Sequence, residues 1–262
     1  MSEYLTTSRG DRVAYDLRGS GPALLFIAGA GPYRAIDPVT TETAELAAQQ
    51  GITTIVYDRL GRGESRVEGR IDLDRELEAV AVLLERAGGS ALLCGHSSGC
   101  SIALAAAVRG LAVDGLALFE APLGEQDSGG REWAAEVDRR IDAGDLEGAM
   151  RYYMKDMPPE FFEAWRQSPE FPDLVAQAGS LRADGESLVW AESAPHTELF
   201  GKIEVPVLAM VGAETFPEMY TAADSIVAAI AGARQQRVPG AQHTWVAEPM
   251  AELLVEFVFA SR

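Results

Sequence analysis

A serine hydroxyl becomes a useful nucleophile only beside a base that takes its proton, so the serines that matter are those a histidine can reach. Ser97 lies in "LLCGHSSGCS" (92–101), where Gly95, Ser97 and Gly99 satisfy G-x-S-x-G between a strand-like and a helix-like run. That context predicts a turn too tight for bulky flanking residues. The turn lifts Oγ above a sheet, and the helix N-terminus behind it favours negative charge. Ser97 is therefore the candidate nucleophile, while Ser98 and Ser101 fall on the helix as capping and packing hydroxyls. The histidines are His96, His196 and His243. His243, in "VPGAQHTWV", follows the last strand and opens on the same sheet edge as Ser97, which makes it the candidate general base. His96 and His196 read as structural residues.

The elements that must position these groups appear as alternating strands and helices. "RVAYDLRG" (12–19) alternates as a half-exposed strand does, and "ALLFIAGAG" (23–31) predicts a strand buried on both faces. "VTTETAELAAQQG" reads as a short helix closed by Gly51, and "ITTIVYD" as the next strand. Leu73, Leu77, Val80, Leu83, Leu84 and Ala87 recur at helical spacing and stop at Gly88 and Gly89. "SALLCG", "GCSIALAAAVRG" and "VDGLALFEAP" then supply strand, helix and strand around Ser97. Such alternation predicts a parallel sheet with helices on both faces. It breaks after Pro122, where aromatic and irregular stretches run from Trp133 to Trp190, and resumes with "IEVPVLAMVG". Residues 1–122 and 201–262 thus read as an α/β core, and 123–200 as a helical cap inserted into it.

Composition narrows the partners. Forty Asp and Glu against 22 Lys and Arg give a formal net charge of -18, which repels phosphate backbones and anionic lipid surfaces. Neither nucleic acid nor a membrane is expected as a partner, and the acidity itself reads as a solubility feature. Cys94 and Cys100 are too few for a disulfide scaffold. The start "MSEYLTTSRGDR" does not read as a secretory signal, and no apolar run reaches the roughly 18 residues of a membrane helix. A reduced, cytoplasmic protein is expected, its oligomeric state left open. No His, Cys and carboxylate cluster has ligand spacing and no Gly-rich phosphate loop opens a helix, so neither a metal nor an organic cofactor is expected.

The strand order, the "GHSSG" turn, the late "GAQH" and the mid-chain insertion together resemble the α/β-hydrolase superfamily over nearly the whole chain. The resemblance implies the α/β-hydrolase fold, the chain order nucleophile, acid, histidine, and an oxyanion hole made of two backbone N–H groups. Many relatives end the first buried strand in His-Gly. Here "IAGAGP" has Ala28 in that place, and the resemblance puts the two donors at the N–H groups of Ala30 and Ser98. "YDRLGRGES" is similar to the family's D-x-R-G-x-G-x-S loop, which implies a role at the rim of the site.

Two carboxylates compete for the acid position. The commoner family position reads "VGAET", with Thr215 where an aspartate would stand and Glu214 one residue early. A one-residue shift at a strand end turns the side chain to the other face. Glu120, 23 residues after Ser97 in "LALFEAPL", ends the strand that follows the helix, a place that resembles the acid position of some haloalkane dehalogenases and of the zearalenone hydrolases. An ionisable residue after four apolar ones has few structural reasons to be there. Glu120 is preferred and Glu214 is the alternative. A serine, where the superfamily's dehalogenases and epoxide hydrolases carry aspartate, implies an acyl-enzyme and a small to medium apolar ester or lactone as the small-molecule substrate. Carbon–carbon bond hydrolysis and a non-catalytic ligand-binding role stand as alternatives. Aromatics and methionines of the insertion, Met150, Met154 and Met157 among them, are expected either to line an apolar pocket or to pack the cap.

Overall fold

The computed structural model describes residues 2–262. Strands β1 (Glu3–Thr6) and β2 (Arg12–Gly19) pair antiparallel at one edge of the sheet. Strands β3 (Ala23–Ile27), β4 (Thr53–Tyr57), β5 (Ala91–His96), β6 (Val113–Phe119), β7 (Val207–Glu214) and β8 (Arg234–Ala241) run parallel to one another. The two-residue strand β9 (Thr244–Trp245) folds back antiparallel on β8. Among the described residues the sheet has nine strands in the order β1-β2-β4-β3-β5-β6-β7-β8-β9. Periodicity in the sequence marks all of these except β1 and β9, which are too short to show a pattern.

Helices α1 (Pro38–Ala48), α2 (Leu73–Arg86) and α3 (Ser98–Val108) connect the first parallel strands. Each of the first two starts on a side-chain cap: the carboxylate of Asp37 accepts from the Thr40 N–H, and that of Asp72 from the Arg75 N–H. Helix α2 buries Leu73, Leu77, Val80, Leu83 and Leu84 on one stripe, as its spacing predicts. Helix α3 is different, because every residue from Ser98 to Ala106 is buried. Its small side chains let it lie close under neighbouring backbone.

Between β6 and β7 come α4 (Gly130–Asp142), α5 (Leu146–Tyr153), α6 (Pro159–Gln167), α7 (Phe171–Ala176), α8 (Leu181–Ala191) and α9 (His196–Leu199). They hold a small core of their own around Val137, Met150, Met154, Phe162, Leu174 and Leu181. Helices α10 (Pro217–Ala229) and α11 (Ala247–Ala260) complete the chain. The main core is split by the sheet: α2, α3 and α10 cover one face, α1 and α11 the other. No helix among the described residues is long and apolar enough to cross a membrane. The chain crosses from β3 to β4 on one side and β5 on the other, and the crevice at the carboxyl ends of such strands is where open α/β sheets bind ligands.

Candidate active site

Ser97 follows the last residue of β5 and precedes the first of α3, with φ +54° and ψ -129°. A non-glycine residue there is strained, and its surroundings hold it: the Ser97 N–H donates to the Phe119 carbonyl at 3.0 Å, while its carbonyl accepts from the Cys100 N–H at 2.9 Å. The flanking glycines are sterically required. A Cβ on Gly95 would stand 2.7 Å from Cys100 Cα, and one on Gly99 only 2.2 Å from the Ile27 carbonyl oxygen. The loop after β3 comes as close from the other side, since a Cβ on Gly29 would lie 2.8 Å from Ser97 Cβ and 3.5 Å from its Oγ. Ala30, the next residue, and Ser98 are the predicted oxyanion donors. Among the described residues, neither of their N–H groups is bonded to another protein group.

Glu120 directly follows the last residue of β6, with φ +49°, and is 1% exposed. Its Oε2 lies 2.5 Å from Nδ1 of His243, and its Oε1 accepts from the Gly212 N–H at 2.9 Å. A Cβ on Gly212 would fall 2.7 Å from that same Oε1, so only glycine leaves room for the bond. Burial opposes ionisation of Glu120, but the bonds from His243 and Gly212 outweigh it, and the carboxyl is held below its ordinary value. The buried hydroxyl of Thr215 favours the anion as well, although it meets no strict hydrogen-bond geometry. Position 215 at the end of β7 thus faces the carboxylate that reaches over from β6. Glu214 is exposed at the end of β7, and no hydrogen bond joins it to His243.

His243 sits in the two-residue turn between β8 and β9. The pairs Gly240 with Trp245 and Ala241 with Thr244 leave Gln242 and His243 as its central residues, at φ +52° and +62°. Positive φ at both positions is what a type I′ hairpin turn requires. The ring of His96 braces the turn: its Nε2 lies 2.9 Å from the His243 carbonyl oxygen, and its ring packs 4.9 Å from the His243 ring and 5.1 Å from that of Trp245. Burial pushes the His96 imidazole down to about 3, with His243 adding to the effect, so the ring is neutral and donates through Nε2–H. His196 lies apart, stacked on Phe200 with Nδ1 3.0 Å from Ser225 Oγ. Both cysteines are free and buried.

Residues 2–257 match the family model described as "Alpha/beta hydrolase family". The chain belongs to the alpha/beta hydrolase family. An alpha/beta hydrolase from Sphaerobacter thermophilus is similar at 30% identity, covering 97% of this chain and 99% of that one with a TM-score of 0.84. A thermophilic esterase from Thermogutta terrifontis has the same fold at 22% identity and a TM-score of 0.71, covering 100% and 99% of the two chains. So does the enol-lactonase from Burkholderia xenovorans, at 18% identity and 0.66, with 99% of each chain covered. No curated protein matches.

In this hydrolase Ser97 and His243 open into one cavity of about 650 Å³. Trp133, Tyr153 and Met157 of the helical segment line it, whereas Met150 and Met154 are buried in that segment's own core. Leu188, Phe216 and Met219 line it too and were not expected there. The last two stand where α10 begins, just beyond the carboxyl end of β7, and an apolar pair at that helix start is the signal that marks them. The loop expected at the rim departs from expectation most. Arg59 and Arg62 are fully buried, because both turn inward onto Asp184 of α8.

Proposed function

We propose that this chain is a serine hydrolase that cleaves an ester or lactone of a small to medium apolar substrate through an acyl-enzyme on Ser97. The observation that carries the reading is the 2.5 Å contact between His243 Nδ1 and Glu120 Oε2 at a cavity that His243 shares with Ser97. Backbone strain adds independent support. Among the described residues, Ser97, Glu120, Asp127, Gln242 and His243 are the non-glycine residues at positive φ, and three of the five are the proposed triad.

In this reading Ser97 Oγ attacks the substrate carbonyl carbon as its proton passes to His243 Nε2. The N–H groups of Ala30 and Ser98 receive the oxyanion, each such donor being worth about 3 to 4 kcal/mol elsewhere. Glu120 stays ionised, keeps Nδ1 protonated and stabilises the imidazolium. The tetrahedral intermediate expels the alkoxide, which takes the proton back from His243. Water then attacks the acyl-enzyme with His243 again as base, releasing the acid and free Ser97. Trp133, Tyr153, Leu188, Phe216 and Met219 offer an apolar wall to the acyl or alcohol part. An esterase and an enol-lactonase among proteins of the same fold are consistent with the choice of ester or lactone.

Incubation with a fluorophosphonate followed by intact mass tests the reading. One adduct is expected on wild type and none on Ser97→Ala, together with turnover of members of a panel of short-chain p-nitrophenyl esters and lactones. Folded wild-type protein that takes no adduct overturns the enzyme reading in favour of a ligand-binding role.

A further inference from the structure

We propose that Asp184, on the helical segment between β6 and β7, is a positioning residue that aims both donors of the oxyanion hole, one through Ser98 and the other through Arg59 and Arg62. The inference rests on the reading of Ser97 as nucleophile with Ala30 and Ser98 as donors.

Asp184 is fully buried on α8. Its Oδ1 accepts from Ser98 Oγ at 2.6 Å and from Arg59 Nη1 at 2.5 Å, and its Oδ2 accepts from Arg62 Nη2 at 2.5 Å. The first of these bonds fixes the residue whose own N–H is one donor. The other two orient guanidinium groups that also reach the loop after β3, Arg62 through its second Nη and Arg59 through the same Nη1 that meets Asp184. Arg62 Nη1 donates to the Gly29 carbonyl at 2.5 Å and to that of Pro32 at 3.4 Å, and Arg59 Nη1 donates to those of Ala28 at 3.1 Å and Gly29 at 3.4 Å.

The Gly29 carbonyl and the Ala30 N–H belong to the same peptide unit. That unit is planar and trans, so C=O and N–H point in opposite directions. Two guanidinium groups pulling the Gly29 oxygen to one side therefore turn the Ala30 N–H to the other, and the loop is pressed against Ser97 at Gly29. A cationic partner on the carbonyl also polarises the amide and strengthens the N–H as a donor. Support for the loop thus acts through the Ala28 and Gly29 carbonyls and does not depend on the side chain at position 28.

Stability alone gives little reason for the cluster, since buried ion pairs often do no better than apolar residues of the same volume. Burial opposes ionisation of Asp184, but Arg59 and Arg62 outweigh it and the carboxyl stays below its ordinary value. Arg62 Nε is further held by Ser180 Oγ at 2.9 Å, so the fork has little freedom to swing. The carboxylate sits 86 residues from Ser98 in sequence, and it joins the helical segment to both halves of the site.

The test uses Ser98→Ala, which keeps the donor N–H and removes only the hydroxyl bond to Asp184, and Arg62→Lys. Lysine keeps the charge beside Asp184 but cannot serve Asp184 and the Gly29 carbonyl with two rigid prongs. Active sites are titrated by fluorophosphonate, so that kcat is expressed per competent site. Each variant is expected to lower kcat at least tenfold with KM within twofold. Affinity for a trifluoromethyl ketone, which adds to Ser97 as an oxyanion-bearing hemiketal, is expected to fall by a similar factor, while affinity for the product acid stays within twofold. A merely structural role lowers the melting temperature and leaves these ratios alone. Should Arg62→Lys not fold, Ser98→Ala decides the matter. Titratable variants whose kcat and ketone affinity match wild type overturn the inference while leaving the serine mechanism standing. Wild type that takes no fluorophosphonate removes the underlying reading, and the inference with it.

Discussion

At the residue scale, the site is a set of backbone positions that would relax if they were left alone. Ser97, Glu120 and His243 all have positive φ, a conformation costing about 1 to 3 kcal/mol each and persisting only where neighbours over-determine it. The neighbours are identifiable: the Phe119 carbonyl for Ser97, the Met210 carbonyl for the Glu120 N–H, and the neutral His96 ring for the His243 carbonyl. With Glu120 after β6 as the proposed acid, Glu120→Gln is expected to lower turnover of a p-nitrophenyl ester at least a hundredfold, and Glu214→Gln to leave it within twofold. The reverse ranking would move the acid to β7. A stability experiment reads the same carboxylate by another route. Its folded value is depressed, so its contribution is fully present above the unfolded value of about 4.3 and is lost as pH falls through the folded value. The melting-temperature advantage of wild type over Glu120→Gln should therefore be constant from neutral pH down to about 5 and shrink steadily below that. A difference that does not change with pH would mean that Glu120 is not ionised in the folded protein.

At the scale of elements, two close approaches set the geometry: α3 against the end of β3, and the β3 loop against Ser97. They make distinct predictions. Gly99→Ala drives a Cβ to 2.2 Å from a backbone carbonyl oxygen, which cannot swing aside, and should cost about 1 to 3 kcal/mol of stability in chemical denaturation. Gly29→Ala puts its Cβ 2.8 Å from Ser97 Cβ, an atom fixed by the backbone, and 3.1 Å from the His96 carbonyl oxygen, so the β3 loop has to shift. It should lower the melting temperature less than Gly99→Ala does, because the loop can move where α3 cannot, and reduce kcat more than tenfold, because the loop it displaces carries the Ala30 N–H. If Gly29→Ala instead unfolds the protein without a loss of kcat per folded molecule, the loop is a packing element only. How far these elements could be read in advance follows from how local their causes are. Strands β2 to β8 and helices α1 to α3 announce themselves by apolar period and by glycine stops. Glu120 does so as a charge at the end of an apolar run. The hairpin that presents His243 does not, since β9 has two residues and its turn is Gln-His rather than Asn-Gly. Asp184 is invisible for a different reason: two ion pairs that join residues 59 and 62 to 184 have no period and no local signature, only partners far along the chain. Met150 and Met154 show the same limit, for apolar residues in a helical insertion suit a pocket wall and a small separate core equally well.

At the scale of the whole molecule, the net charge bears on the choice of substrate. The formal net charge is -18, and the cavity wall carries Asp156, Glu192 and Glu218 against Lys155, whose ammonium is paired to Asp156 at 2.5 Å. A substrate with a free carboxylate must approach through that field, whereas a neutral ester does not feel its repulsion. The field reaches about 10 Å at 0.1 M ionic strength and about 3 Å at 1 M, so salt separates it from a steric preference. Two esters that differ only in whether the acyl chain ends in a carboxylate or in its methyl ester make the comparison. At low ionic strength kcat/KM for the neutral ester should exceed that for the anionic one at least fivefold. Raising the salt should narrow the gap by speeding the anionic substrate while leaving the neutral one nearly constant, because screening removes repulsion that only the anion feels. A gap that salt does not touch would place the discrimination in the shape of the cavity, and an anionic substrate preferred at low salt would require a cationic group at the site that outweighs these carboxylates.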